Sequence, residues 1–183
     1  TNFYEFKLNV SLRVTSTSAK ELRPGTWRIP LNGRSATVEY EGTVYDAVHQ
    51  DNSSGLIDSQ GVTLMGSSLW YPARAQDLLT FDLQVDLPEG WIFISQTSSA
   101  SQPQEEIYLI AGRFSRYDKG GHAVYLRQAD QKLAGGYLDL LPGYLKHYSA
   151  LIAPYPYGTF RVVENFFETG FGMPSFTLLG PSV

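Results

Sequence analysis

The three histidines, His49, His122 and His147, are the first candidates for metal binding or acid–base chemistry. None lies three or four residues from another histidine, the chain contains no Cys, and no H-E-x-x-H zinc motif occurs. We therefore expect no metal ligand among the three, and we expect His147 to be a partly exposed residue of a helix.

Serine and carboxylate chemistry find equally little support. The G-x-S-x-G motif of serine hydrolases is absent, since Gly66-Ser67-Ser68 lacks the second glycine. Asp82 and Asp86 alternate with apolar residues, which predicts the solvated face of a strand. Glu105 and Glu106 end a polar segment and are expected to be solvated as well. We therefore expect no catalytic residue in this chain, and a self-contained carboxylate hydrolase is the weakest hypothesis.

Aromatic residues make up 14% of the chain and include Trp27, the pair Trp70-Tyr71, and Trp91. Such side chains can form a platform on which a sugar ring stacks, but they more often pack in a core or pair across strands. A free-standing β-sandwich module that binds carbohydrate or protein is therefore the alternative hypothesis for this sequence.

Composition indicates a globular chain of 183 residues, with 43% hydrophobic and 17% charged residues. The net charge of −4 gives no electrostatic reason to expect binding to nucleic acid or to an anionic membrane surface. No apolar run is long enough to span a bilayer, so no membrane contact is predicted. The absence of Cys is compatible with any compartment, which leaves the localisation open.

Alternation of apolar and polar residues predicts several short strands before residue 128. Gly, Pro, Ser and Asn clusters separate them, as in a β-sandwich or a saddle-shaped sheet. We expect a turn at Pro88-Glu89-Gly90 and a polar loop at 97–104. The predicted strands cover residues 3–15, 36–48, 79–87, 91–95, 107–114 and 123–126.

The pattern changes after residue 128, where apolar residues recur every three or four positions and predict a helix over 137–151. Gly135, Gly136 and Pro142 weaken this pattern, and Pro142 could kink the helix. Strands follow at 160–167 and 175–179, with a loop over 169–174 between them. The fold class is therefore mainly β, with one helix and short strands near the C-terminus.

Residues 155–167, Tyr-Pro-Tyr-Gly-Thr-Phe-Arg-Val-Val-Glu-Asn-Phe-Phe, are followed by Gly-Phe-Gly-Met-Pro-Ser at 170–175. Together they resemble the approach to the active site in gluzincin zinc metallopeptidases of the aminopeptidase N type. In that family a helix leads to a Tyr-Pro turn, a strand, and a Gly-Ala-Met-Glu-Asn loop along the substrate cleft. The H-E-x-x-H helix that binds zinc comes further downstream.

Weaker similarities to the N-terminal domain of divergent bacterial relatives extend over the earlier part of the chain. They are Gly61-Val62-Thr63-Leu64, Trp70-Tyr71-Pro72, and 81–91 with its Leu-Pro-x-Gly-Trp ending. The resemblance implies an all-β domain over 1–134 and the incomplete start of a thermolysin-like catalytic domain over 135–183. The chain would then be a non-catalytic N-terminal fragment, with the remainder of the catalytic domain as its partner.

The same resemblance assigns a substrate-cleft loop to Gly172, Met173, Pro174 and Ser175. Of the family's loop, only Met173 is identical, and Pro174 occupies the position of the Glu that binds the substrate's free α-amine. A rival alignment would use Glu164-Asn165 as the Glu-Asn pair, but it lacks the preceding Met. The resemblance implies a peptide substrate and zinc in the parent enzyme, and no cofactor within this chain.

Overall fold

The computed structural model describes residues 2–47, 53–74, 77–168 and 170–182. Within these ranges the chain forms sixteen strands and one α-helix. In chain order they are β1 (Phe3–Lys7), β2 (Leu12–Val14), β3 (Lys20–Arg23), β4 (Thr26–Pro30), β5 (Tyr40–Gly42), β6 (Gly55–Ile57), β7 (Val62–Leu64), β8 (Leu79–Asp82), β9 (Ile92–Ile94), β10 (Ser99–Gln104), β11 (Leu109–Gly112), β12 (Ser115–Lys119), β13 (His122–Leu126), α1 (Gln131–Leu151), β14 (Arg161–Glu164), β15 (Gly170–Met173) and β16 (Phe176–Leu179). The fold is mainly β, as the sequence predicts.

The strands form two larger sheets and three small ones. The first eleven strands make a four-stranded sheet in the order β6-β7-β11-β9, together with the smaller sheets β1-β4-β3, β2-β5 and β8-β10. The last five strands make a mixed sheet in the order β12-β13-β14-β16-β15. In this five-stranded sheet β13, β14 and β16 run parallel, while β12 and β15 pair antiparallel to their neighbours.

The central strands of the five-stranded sheet are apolar on both faces, as parallel strands covered on both sides require. On one face, side chains of β13, β14 and β16 pack against Ile94 and Ile110 of the four-stranded sheet. On the other face, Val124 and Val162 pack against Ala134 and Leu138 of α1. The sheet is therefore the middle layer between α1 and the N-terminal strands.

A separate core lies on the far side of the four-stranded sheet. Leu64 and Leu109 project there and pack against Phe6, Leu8 and Ile29 from the N-terminal strands. Side chains alternate across a strand, so Leu109 contributes to this core while its neighbour Ile110 contributes to the other. The four-stranded sheet is thus shared by two hydrophobic cores.

The helix α1 begins six residues earlier than the sequence predicts. Asp130 caps it, because its carboxylate accepts a hydrogen bond of 2.8 Å from the backbone N–H of Leu133. The helix continues through Gly135, Gly136 and Pro142. Packing of its buried face on the sheet stabilises the helix despite these unfavourable residues.

The N-terminal segment 3–15 is two strands, so the prediction of one continuous strand is wrong. The chain turns at Asn9, whose side-chain amide donates to the carbonyl of Ser68 at 2.7 Å. The side-chain oxygen of Asn9 accepts from the backbone N–H of Ser11 at 2.9 Å, which closes the turn locally. The interruption places Leu12 opposite Gly42 in another sheet.

Two further predictions need correction. In the segment 36–48 the named strand covers Tyr40–Gly42 alone, and Val48 lies outside the described residues. The segment 97–104 was predicted as a loop, yet Ser99–Gln104 is a strand, because its backbone pairs with β8 despite the polar side chains. The predicted turn at 88–90 is confirmed, with Gly90 at φ 77° and a hydrogen bond from Trp91 to Pro88.

The predicted boundary after residue 134 stays a prediction. The five-stranded sheet takes β12 and β13 from before this position and β14, β15 and β16 from after it. The unit that contains α1 and this sheet therefore extends from Ser115 to Leu179.

Replacing the helix cap tests the account of α1. We expect Asp130→Ala to lower the free energy of unfolding by about 1 kcal/mol, because the N–H of Leu133 loses its partner. Asp130→Asn, which can cap equally well, should unfold at nearly the same urea concentration as the native chain. Equal midpoints for all three proteins would show that this cap does not stabilise the helix.

Candidate functional site

The four predicted cleft residues lie together at the end of the β15–β16 hairpin. Gly172 and Met173 end strand β15, so they are strand residues and the predicted loop is shorter than expected. Pro174 and Ser175 alone form the turn, and Met173 is paired with Phe176 across it. The candidate site is therefore a tight hairpin tip and the strand that leads into it.

The turn places Ser175 in an unusual backbone conformation. Its φ is 69°, in the left-handed region that normally favours glycine, while Pro174 before it fixes its own φ near −65°. A positive φ at the second central residue is the geometry of a type II turn. Ser175 is also buried, with 3% of its surface exposed. Its surroundings must therefore hold it in this conformation.

Hydrogen bonds to Gln96, in the loop that follows strand β9 of the four-stranded sheet, hold Ser175 in place. Its hydroxyl donates to the backbone carbonyl of Gln96 at 2.9 Å and accepts from the guanidinium of Arg161. Arg161 also donates to the same carbonyl at 3.2 Å. These bonds link the hairpin, strand β14 and the segment after β9. The hairpin tip is thereby fixed to the N-terminal half of the chain.

Arg161 carries a largely buried positive charge. Burial lowers the pKa of its guanidinium, although the group remains protonated because arginine does not lose its proton in proteins. Its cationic carbon lies 5.6 Å from the ring centroid of Phe176, within cation–π distance. Its Nε atom is buried without a hydrogen-bond partner among the described residues.

Gln96 extends this network to Glu106 and Tyr108. Its side-chain amide donates to the carbonyl of Glu106 at 2.6 Å and accepts from the backbone N–H of Tyr108 at 3.0 Å. The Tyr108 hydroxyl donates to the Glu106 carboxylate at 2.8 Å, and its ring meets Phe176 edge-on. Burial, followed by this carboxylate, raises the pKa of Tyr108. Glu106 was expected to be solvated; it is half-buried, and its carboxylate also accepts from the backbone N–H of Gly66 at 2.6 Å.

The outer edge of β15 carries backbone groups that no described strand pairs. β15 is the last strand of its sheet, next to β16 alone. Hydrogen-bonded and non-hydrogen-bonded pairs alternate in an antiparallel ladder. Because the turn makes Met173–Phe176 a hydrogen-bonded pair, Phe171 also faces β16, and the N–H and C=O of Gly172 face outward. A Cβ added to Gly172 would meet no described atom within 4 Å.

A second polar contact joins the two halves of the chain. The Thr63 hydroxyl donates to the side-chain oxygen of Asn165 at 3.0 Å, and both residues are buried. The preceding residue, Glu164, accepts from the backbone N–H of Arg127 at 2.8 Å. The Glu164-Asn165 pair of the rival alignment therefore forms contacts within the fold at the end of β14.

Other candidates from the sequence have structural roles. His122 accepts a hydrogen bond from the backbone N–H of Phe160 at 3.1 Å, and the ring of His147 meets that of Tyr148 edge-on. His49 lies outside the described residues. Within the described part of the chain, no group of three or more His, Cys, Asp or Glu side chains could hold a metal ion. A zinc site therefore does not fit the described residues.

Two of the tryptophans considered for an aromatic platform pack within the fold. Trp27 and Trp70 pack against the N-terminal hydrophobic core, and the Trp70 indole donates to the carbonyl of Ile107 at 3.2 Å. Asp82 and Asp86 are exposed, as predicted from the alternation. In the described ranges, no helix has the length and hydropathy needed to cross a membrane.

Comparison with known proteins identifies the fold. No family model and no curated protein matches this sequence. Among solved structures, native yeast leukotriene A4 hydrolase aligns with all of this chain, with a TM-score of 0.63 and 12% identity. An aminopeptidase N family protein from Idiomarina loihiensis aligns with 96% of it, with a TM-score of 0.63 and 15% identity. A second structure of native leukotriene A4 hydrolase, from Saccharomyces cerevisiae, aligns with all of this chain, with a TM-score of 0.61 and 13% identity.

The chain spans 35% of the yeast enzyme's chain and 37% of the Idiomarina protein's chain. At this low identity the likeness establishes the fold alone. The chain has the mainly β fold of the N-terminal region of aminopeptidase N-like structures.

The hairpin tip was predicted from the sequence, but its supports were not. Arg161 and Gln96 carried no signal of their own, because Gln96 lies 79 residues before Ser175 and meets it only in the fold. A serine directly after proline in a short loop between two strands is the one available sign of a constrained turn.

Two substitutions separate the hydrogen bonds of Ser175 from its backbone strain. Ser175→Ala loses the hydroxyl and keeps the positive φ, so we expect the free energy of unfolding to fall by about 2 kcal/mol. Ser175→Gly loses the same hydroxyl but relieves the strain, and should be about 1 kcal/mol more stable than the alanine variant. Urea unfolding of the three proteins measures both differences. An alanine variant as stable as the glycine variant would contradict the strained turn.

Proposed function

We propose that this chain is the N-terminal part of a zinc-dependent metallopeptidase, in which β15 forms one wall of the substrate cleft. The observation that carries the proposal is the outward-facing edge of β15 at the position of the family's cleft loop. An extended peptide can add to such an edge as a further strand, with main-chain hydrogen bonds providing affinity. The chain itself would be non-catalytic and would contribute to substrate binding.

The shape of the edge supports this role. Gly170 and Gly172 are exposed and carry no side chain, so another backbone can approach without steric hindrance. Soluble proteins usually protect such edges with charged residues, bulges or proline within the strand, because an open edge invites association with other strands. No charged residue or proline lies in Gly170–Met173. An edge of this kind is expected where a peptide binds.

The anchoring of the hairpin supports the role as well. A peptide-binding strand must be held rigidly, because small displacements weaken every main-chain hydrogen bond at once. Met173 and Phe176 are buried in the core between the four-stranded and five-stranded sheets, and the Ser175 hydroxyl donates a hydrogen bond to the carbonyl of Gln96. The edge is thus supported from the side opposite to the substrate.

Pro174 bears on the specificity of the parent enzyme. A carboxylate at this position of the family's loop pairs with the free α-amine of the substrate. Proline has no side-chain acceptor and no backbone N–H. We therefore propose a peptidase that does not require a free amine through this loop. The zinc and the residues that activate water would come from the remainder of the catalytic domain.

Expression of the chain together with the following part of its gene tests this function. We expect the longer protein to hydrolyse peptides and to lose that activity on treatment with a metal chelator. The 183-residue chain alone should show no hydrolysis. A downstream sequence without an H-E-x-x-H motif would refute catalysis by this route.

Activity on amine-blocked peptides should be within about tenfold of that on free peptides, because no loop carboxylate contributes a charged hydrogen bond.

A matched pair of substitutions tests the edge itself. Gly172→Pro removes an outward N–H, so kcat/KM for peptide hydrolysis by the longer protein should fall about tenfold. Gly172→Ala keeps the N–H, and its added Cβ meets open space, so its activity should remain close to native. Equal activity of the two variants would show that no substrate backbone pairs with β15 at this residue.

A further inference from the structure

One side of α1 carries an exposed stripe of large apolar residues. Their exposed fractions lie between 43% and 67%, although such side chains usually pack in a core. Spacings of three, four or seven residues place them along one face of the helix. We call this set the α1 stripe, and its members are Leu133, Leu140, Tyr144, Tyr148 and Leu151. The stripe is distinct from the face that packs on the sheet through Ala134, Leu138 and Leu141.

The α1 stripe is continuous with the hydrophobic core beneath the helix. A groove at the carboxyl ends of β13, β14 and β16 is lined mainly by apolar residues, including Leu126, Val162 and Leu179, with Glu164 as its charged residue, and it reaches Leu133 of the stripe. Val162 and Leu126 belong to the core under α1. The apolar surface therefore extends from the buried core to the outside of the helix, which is typical of a core that another element completes.

Two glycines beside the stripe indicate what kind of element this is. Gly136 and Gly143 lie four residues before and three residues after Leu140, so they are its neighbours on the helix surface. Neither has a positive φ, and a Cβ on either would meet no described atom within 4 Å. Glycine within a helix is unfavourable relative to alanine. The described contacts of this chain therefore do not explain them, whereas close approach of another helix does.

We propose that the α1 stripe is the docking surface for an α-helix from the part of the same protein that lies outside residues 1–183. The inference rests on the proposed function, in which this chain is part of a longer polypeptide. The solved structures that share its fold are nearly three times as long, since the chain spans 35% and 37% of them. The docked helix presents its own apolar residues to the stripe and packs closely over Gly136 and Gly143.

Cysteine labelling of the longer protein tests this docking, because residues 1–183 contain no Cys and any cysteine in the rest of the protein is first replaced by serine. Leu140→Cys reports on the stripe, and Lys146→Cys reports on the exposed side of α1 away from it. We expect Leu140→Cys to react with a thiol reagent at least about tenfold more slowly than Lys146→Cys in the folded protein. In urea the two cysteines should react at the same rate. Tyr144→Cys replaces the first variant if that protein does not fold.

Equal reaction rates in the folded protein would overturn the proposal. Protection that disappears on dilution would also overturn it, because the cover would then be a second copy of the chain. A gene that encodes nothing after residue 183 would have the same consequence. The readout is independent of catalysis. A protected stripe in an inactive protein would refute peptidase function but not docking. An exposed stripe in an active protein would refute docking but not peptidase function.

Discussion

Burial of both faces of the five-stranded sheet is the constraint from which the other features follow. Val124, Val163 and Leu178 have none of their surface exposed; Val124 lies on the face toward α1, and Val163 and Leu178 lie on the face toward the four-stranded sheet. Such a sheet needs cover from two sides. The four-stranded sheet provides it on one side and α1 on the other. The N-terminal strands and the C-terminal unit therefore share the core between the two sheets, with Thr63–Asn165 and Ser175–Gln96 as polar contacts between them.

The same arrangement explains why the candidate site lies at β15. The antiparallel strands β12 and β15 are the two edge strands of the sheet, on either side of the parallel strands β13, β14 and β16. The β12 edge carries Arg116, Asp118 and Lys119, which are the charged residues that discourage strand addition. The β15 edge carries Gly170 and Gly172 instead. The two ends of one sheet therefore differ in the property that decides whether a further strand can bind.

The sequence predicted what depends on local pattern and missed what depends on distant partners. Apolar residues in 123–126 and 175–179 were sufficient to place β13 and β16. The segment Ser99–Gln104 is mostly polar, so it shows no regular alternation of apolar and polar residues. It is a strand because its backbone pairs with β8, which lies elsewhere in the sequence. The break at Asn9 depends on Ser68, 59 residues away. Asp130 was an available cap signal for the helix, but Gly135 and Gly136 after it argued against an early start.

Amide hydrogen exchange measured by NMR tests the central claim, that β15 is anchored through β16 and open along its outer edge. The account predicts slow exchange for the amide of Phe171, which faces β16, and fast exchange for the amide of Gly172, which faces outward. Both residues lie in the same short strand, so local unfolding of the strand would affect them alike. An amide of Gly172 as protected as that of Phe171 would show that the edge is already paired, and would contradict the account.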